Sequence, residues 1–248
     1  VAAVDGPTAW ENLEYCEAHG LALQTLFNTH THGDHIGINR ELERRGLLEG
    51  VQVVGFRGRA GEIPGLTRGV DEGDTVVVGS VQGRVMRTEG HINGHISFLF
   101  EDVLFCGDTM FTGGCGYLFD GPPEVMYRSL LRLSQLPGEV RVCCAHEYTQ
   151  DNLRFAWSVE PGNPALAERI RQTWKIRSQG GTVVPSTIAL ERATNPFLRP
   201  DSSELRSNVA AAWPARTLAS PAQVFEATRA LKDRKDYRQG LNPDLPLD

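Results

Sequence analysis

The stretch Asn28-Thr29-His30-Thr31-His32-Gly33-Asp34-His35 puts three histidines and one aspartate within six residues, spaced His-x-His-x-Asp-His. Imidazole nitrogen and carboxylate oxygen together suit a divalent first-row metal such as zinc. In a chain with seven histidines, chance produces this pattern in roughly 3 of 10,000 sequences of like composition. Three further candidates stand alone: His91 in Thr88–His95, Asp108 in Phe105-Cys106-Gly107-Asp108-Thr109, and His146 in Cys144-Ala145-His146-Glu147-Tyr148. A metal ion on such donors lowers the pKa of water and makes a hydroxide nucleophile near neutral pH. The plain alternative is a set of polar loop residues.

These side chains need elements to carry them. Val1–Val4 reads as a strand ending in the turn Asp5-Gly6-Pro7, and Thr8 with Glu11 signals a capped helix running to about His19. The apolar run Leu21–Phe27 predicts a strand that delivers His30 at its end, and Ile36–Arg45 the following helix. Short β-rich runs follow at Val51–Val54, Thr75–Val78, Val81–Thr88, Ile96–Phe100, Val103–Cys106 and Arg141–Cys144. Between the last two, Pro123–Leu136 has helical period with Val125, Leu130 and Leu133 on the expected inner face. Each metal candidate thus follows a strand, where ligands collect in α/β folds, and one edge of one sheet is expected to present all seven. After Glu147 strand-like runs vanish, and helices are expected at Thr149–Val159, Pro164–Ser178 and Ala222–Lys235. The expected organisation is an α/β metal-binding domain over 1–147 and a helical substrate-binding domain over 148–248.

Composition narrows the partners. The 248 residues carry 25 Lys and Arg against 31 Asp and Glu, a net charge of −6, which gives no basic footprint for nucleic acid or an anionic membrane. No apolar run reaches the roughly 18 residues that a membrane span needs. Five cysteines without zinc-site spacing are expected as reduced thiols in a cytosol-like compartment. His19, late in a helix, is expected at the surface. For His95, four after His91, both support of the metal site and a structural loop role stay open.

Taken together, the motifs at 28–35, 88–95, 104–109, 113–116 and 144–149 resemble the metallo-β-lactamase superfamily, and within it the hydroxyacylglutathione hydrolase (glyoxalase II) family. Val184-Pro185-Ser186-Thr187 and Thr194-Asn195-Pro196-Phe197-Leu198-Arg199 are similar to that hydrolase family alone, and the resemblance covers nearly the whole chain. It implies a metallo-β-lactamase-like αββα sandwich with a helical C-terminal domain. It also implies a binuclear centre, with His30, His32 and His91 on metal one, Asp34, His35 and His146 on metal two, and Asp108 bridging. Zinc is the expected metal, and iron or manganese suits the same donors. The implied reaction is hydrolysis of S-D-lactoylglutathione and related hydroxyacylglutathione thioesters by a metal-bridging hydroxide, with Asp34 and Asp108 as the catalytic carboxylates. The implied setting is glyoxalase-pathway detoxification of methylglyoxal by a monomer, cytoplasmic, or mitochondrial if residues precede Val1.

For the substrate, the resemblance points to Tyr148, Phe119, Tyr117, Lys232 and Lys235; aligning Arg229 with Lys232 is the alternative register of the basic pair. Tyr117 stands where the family usually has Lys or Arg, which removes a fixed positive charge from the substrate grip. The family also has a pair of strands before the segment matching Val1–Asp5; without them one sheet would keep an exposed edge. Two other readings remain: a persulfide dioxygenase-like mononuclear iron enzyme, and a weakly active binding or regulatory homologue.

Overall fold

A computed structural model describes residues 1–238 and 244–247. Four strands build the first sheet: β1 (Ala2–Val4), β2 (Thr25–Phe27), β3 (Gln52–Phe56) and β4 (Arg68–Val70). They run parallel in the order β1-β2-β3-β4, so β1 is an edge strand. Parallel neighbours need crossovers. Helix α1 (Trp10–Ala18) supplies the first and α2 (Gly37–Arg44) the second, while a 3-10 turn at Arg57–Glu62 leads from β3 to β4. The second sheet contains β5 (Thr75–Val78), β6 (Val81–Arg87), β7 (Ile96–Phe100) and β8 (Val103–Gly107), antiparallel in sequence. A ribbon of β9 (Met110–Phe111) and β10 (Gly114–Cys115) and helix α3 (Pro123–Ser134) precede β11 (Arg141–Cys144), which lies parallel to β8. Then come α4 (Thr149–Val159), α5 (Pro164–Ser178), β12 (Ser186–Thr187), α6 (Ile188–Thr194), α7 (Ser203–Ala212) and α8 (Pro221–Arg234).

The layers follow from which faces are apolar. Phe27, Val54, Phe56 and Val70 of the first sheet meet Val76, Val85, Ile96, Phe98 and Phe100 of the second, forming the core between the sheets. Each such side chain contributes about 1.5–3 kcal/mol by leaving water. The outer face of the first sheet (Ala3, Leu26, Val53) packs on Ala9, Ile38 and Leu42 near and on α1 and α2. The outer face of the second (Met86, Leu104, Cys106, Val142) packs on α3 and on Phe155, Ile188, Phe197 and Phe225 of the C-terminal segments. This is the αββα sandwich, with the helices after residue 147 sharing its outer core.

Several expectations change. Ligand-bearing loops come from both sheets, not from one, because β2 belongs to the first and β6, β8 and β11 to the second. Strand structure does not end at Glu147: Ser186–Thr187 pairs antiparallel with β11. The Thr8 capping box does not form. Its hydroxyl donates to Glu11 at 2.6 Å, and Glu41 accepts from the Ala9 N–H instead. On α3 the buried face is Met126, Ser129, Leu130 and Leu133, with Val125 only half-buried. His19 is exposed as expected, and all five cysteines are free. Among the described residues, no helix is long and apolar enough to cross a membrane.

Candidate metal centre

The His30–His35 loop is set by what flanks it. Asn28, buried at the end of β2, exchanges side-chain hydrogen bonds with Asn39 of α2 at 3.0 and 2.8 Å and donates to the His35 carbonyl at 3.2 Å. The loop closes on itself where the N–H groups of His35 and Ile36 donate to the His32 carbonyl. His91 leaves β6, and the Phe119 N–H donates to its carbonyl at 2.9 Å. Asp108 follows β8 through Gly107 at φ +46, where a side chain would collide with the Thr29 hydroxyl and the His95 ring. Gly116 passes so close to the Asp108 carbonyl that no Cβ fits.

Seven predicted ligands converge. His30 Nε2 and His91 Nε2 each lie 3.0 Å from His32 Nδ1. Tetrahedral zinc with Zn–N near 2.05 Å separates its donors by about 3.3 Å, so this spacing fits a chelate. Asp34 Oδ2 lies 3.2 Å from His146 Nε2 and 3.8 Å from His35 Nε2, giving a second set. Asp108 stands between them. Its Oδ1 faces His35 Nε2 at 3.4 Å and His146 Nε2 at 3.5 Å, while Oδ2 faces His91 Nε2 at 3.4 Å. His35 Nε2 and Asp108 Oδ1 are buried with no hydrogen-bond partner among the described residues. Buried polar atoms without partners are costly, and a cation between them removes that cost. The donor set and the orphaned atoms fit a divalent metal centre.

The far nitrogens explain why the near ones are free. His35 Nδ1 donates to Asp5 Oδ2 at 2.9 Å. Thr29 donates its hydroxyl to the same carboxylate at 2.7 Å and its N–H to Oδ1 at 2.8 Å, leaving the hydroxyl oxygen to accept from His30 Nδ1 at 3.0 Å. His91 Nδ1 donates to the Tyr117 carbonyl at 2.7 Å. Each outer partner fixes a tautomer whose inner nitrogen offers a lone pair. Burial and the surrounding imidazoles push the His30 pKa far down, so that ring is neutral. His91 is also lowered, by burial outweighing the pull of Asp108. His35 goes the other way: burial opposes its charge, but Asp108 and Asp5 prevail and raise it to about 10. Asp108 stays ionised, since contacts with His35 and the other imidazoles outweigh its burial.

The centre is open on one side. Asp34 is exposed, His32 and His146 are half-buried, and the other ligands are buried beneath them. Three exposed aromatics ring the opening. Phe119 meets His32 and His91 edge-on at 5.1 and 5.2 Å, Tyr117 packs on Phe119, and Tyr148 stacks on His146 at 5.0 Å. The basic pair separates: Lys232 is buried with its ammonium on Asn152 Oδ1, whereas Lys235 follows the end of α8 in a left-handed conformation and is exposed. Arg229, one turn before Lys232, is buried and donates to the Cys115 carbonyl at 3.1 Å, beside Gly116 and Tyr117. Sequence reasoning placed Asp5 in a turn and missed its role. The available signal was its position at a strand end, like every ligand.

The sequence profile described as Metallo-beta-lactamase superfamily matches residues 4–146, and that of the Hydroxyacylglutathione hydrolase C-terminus matches 147–235. A hydroxyacylglutathione hydrolase from Methylococcus capsulatus is 48% identical over 210 residues, 84% of this chain and 81% of its own. One from Gloeobacter violaceus is 48% identical over 235 residues, 94% of this chain and 90% of its own. Among solved structures, ETHE1 from Myxococcus xanthus superposes with a TM-score of 0.57 at 24% identity, covering 93% of this chain and 86% of that one, a likeness of fold.

Proposed function

This chain belongs to the hydroxyacylglutathione hydrolase family of the metallo-beta-lactamase superfamily, and on that premise we propose that it hydrolyses S-D-lactoylglutathione and related hydroxyacylglutathione thioesters. Water adds to the thioester carbonyl, the C–S bond breaks, and glutathione and a 2-hydroxy acid leave. His30, His32 and His91 would hold one divalent ion, Asp34, His35 and His146 the second, and Asp108 both. Zinc is the favoured metal, with iron and manganese suited to the same donors. When bound, such a pair lowers the pKa of water and polarises a carbonyl. The observation that carries this reading is the Asp108 carboxylate, whose two oxygens face different ligand sets.

The chain's own groups supply the rest. Asp34, exposed at the opening, can orient the attacking water by accepting one of its protons. A thiolate leaves without a strong general acid, which agrees with the open mouth. Tyr148, Phe119 and Tyr117 would line the bound glutathione moiety, with the Arg229–Lys232 side of α8 behind the Tyr117 loop. The burial of Arg229 and Lys232 beside that loop supports their register over Lys232–Lys235. The C-terminal family match favours a thioesterase over a mononuclear-iron persulfide dioxygenase. The test is release of free thiol from S-D-lactoylglutathione by metal-loaded protein, with loss of turnover on chelation. No thiol release from fully loaded protein would refute the proposal.

A further inference from the structure

His95 is the one histidine in the cluster that joins neither ligand set, yet it is fully buried. Its Nε2 lies 3.2 Å from the Asp108 backbone nitrogen. An amide N–H can only donate, so Nε2 must accept and the ring proton must sit on Nδ1. Two hydroxyls stand there, Thr109 Oγ1 at 3.1 Å and Thr88 Oγ1 at 3.2 Å. Thr109 donates its own proton to the Thr88 carbonyl at 2.7 Å, which leaves its lone pairs for the ring. Ser97 completes the network, 2.7 Å from the Thr88 hydroxyl. The same ring stacks on His30 with centroids 4.8 Å apart.

We propose that His95 is a positioning residue for the bridging carboxylate: as a neutral ring held by Thr109 and Thr88, it fixes the Asp108 backbone so that Oδ1 and Oδ2 face different ions. The inference rests on the reading of Asp108 as a bridge. Several features support it. Asp108 sits directly after Gly107, which turns the chain at the left-handed φ of +46, and the bond to His95 anchors the N–H of the peptide that joins the two. A protonated ring would set two donors against each other at Asp108. The device controls orientation without touching metal or substrate.

The test compares His95→Leu, His95→Gln, Thr109→Val and Ser97→Ala in the full chain, reading ions per chain, the dissociation constant of the more weakly held ion by chelator competition, and kcat and KM separately. Groups behind metal ligands typically change affinity by about 10- to 100-fold. His95→Leu should weaken the second ion by that factor and lower kcat with KM little changed. His95→Gln, which returns an acceptor near the Nε2 position, should recover most of the affinity. Thr109→Val, nearly isosteric, releases the ring proton and should give a smaller loss of the same kind, which keeps the test open if His95→Leu does not fold. Ser97→Ala breaks the network away from Asp108 and should lower Tm only. If the wild type holds two ions and neither the His95 nor the Thr109 variants weaken either, His95 has no such role although the bridge stands. Equal losses in Ser97→Ala and the His95 variants would likewise overturn the proposal. A wild type that holds a single ion would sink the bridge and this inference together.

Discussion

Asp5→Asn offers a sharp perturbation, because it changes one atom in a buried carboxylate that holds the outer nitrogen of the candidate ligand His35. The Asp5 side chain, only 8% exposed, accepts three hydrogen bonds: Oδ1 from the Thr29 N–H at 2.8 Å, and Oδ2 from the Thr29 hydroxyl at 2.7 Å and His35 Nδ1 at 2.9 Å. In the variant the amide oxygen keeps the Thr29 N–H, so the NH₂ faces His35. Donor then meets donor, unless His35 moves its proton to Nε2, the nitrogen meant for the ion. Backbone strain does not confuse the result, since Asp5 has φ +56 and asparagine tolerates that region at least as well. Losing a charge-assisted bond costs about 1.5–3 kcal/mol, and an unsatisfied buried donor costs about 1–3 kcal/mol. Part of this is recovered by relaxation, so about 2–4 kcal/mol is expected against the second ion. At 1.4 kcal/mol per decade that weakens it by about 30- to 700-fold. The assay is competition with a chromogenic chelator, together with kcat and KM on the loaded enzyme. Retention of both ions at wild-type affinity would refute the tautomer argument.

Other outcomes follow from the same geometry. Lys235→Ala should raise KM at most about fivefold, since an exposed cation contributes about 0–1 kcal/mol; a tenfold rise would restore Lys235 to the substrate grip. Tyr117→Lys should lower KM without changing metal content, because the Tyr117 carbonyl, not its ring, supports His91; unchanged kinetics would show that the missing charge is not felt. Burial pushes Lys232 down from 10.5 to about 7, so the unfolded chain binds more protons between those values and this residue makes stability rise with pH from about 7 to 10.5. His35, raised from 6.5 to about 10, gives the metal-free protein stability that is fully present below 6.5 and lost as pH climbs through about 10. Denaturant titrations of metal-free Lys232→Met should therefore show the His35 decline more steeply than wild type; identical profiles would contradict the burial argument.

The residues that converge at the candidate centre were legible because four of them fall in one contiguous motif and the rest sit at strand ends, a local feature. Helices α4 and α5 matched their expected limits for a similar reason: Asn163 caps α5 by accepting from the N–H groups of Ala165 and Leu166, with Pro164 at the first position. What escaped depends on long-range register. Asp5 reaches Thr29 and His35 only because β1 and β2 pair in parallel with Val4 opposite Phe27. The two-residue strand β12 has no periodicity to read, and exists through its pairing with β11. Lys232 and Lys235 are equivalent on a helical repeat. They part because α8 stops at Arg234 and Lys235 turns left-handed. Helix α6, seven residues long, is too short for an apolar period to stand out, whereas α7 carried a readable signal in Ser202, which caps it by accepting from the Leu205 N–H.

Anomalous diffraction from crystals of the metal-loaded protein tests the account most directly. It predicts two peaks on the order of 3.5 Å apart, one against His30, His32 and His91, the other against Asp34, His35 and His146, with Asp108 between them. A single peak at full loading, bound by the first three histidines with Asp108 turned away, would contradict it.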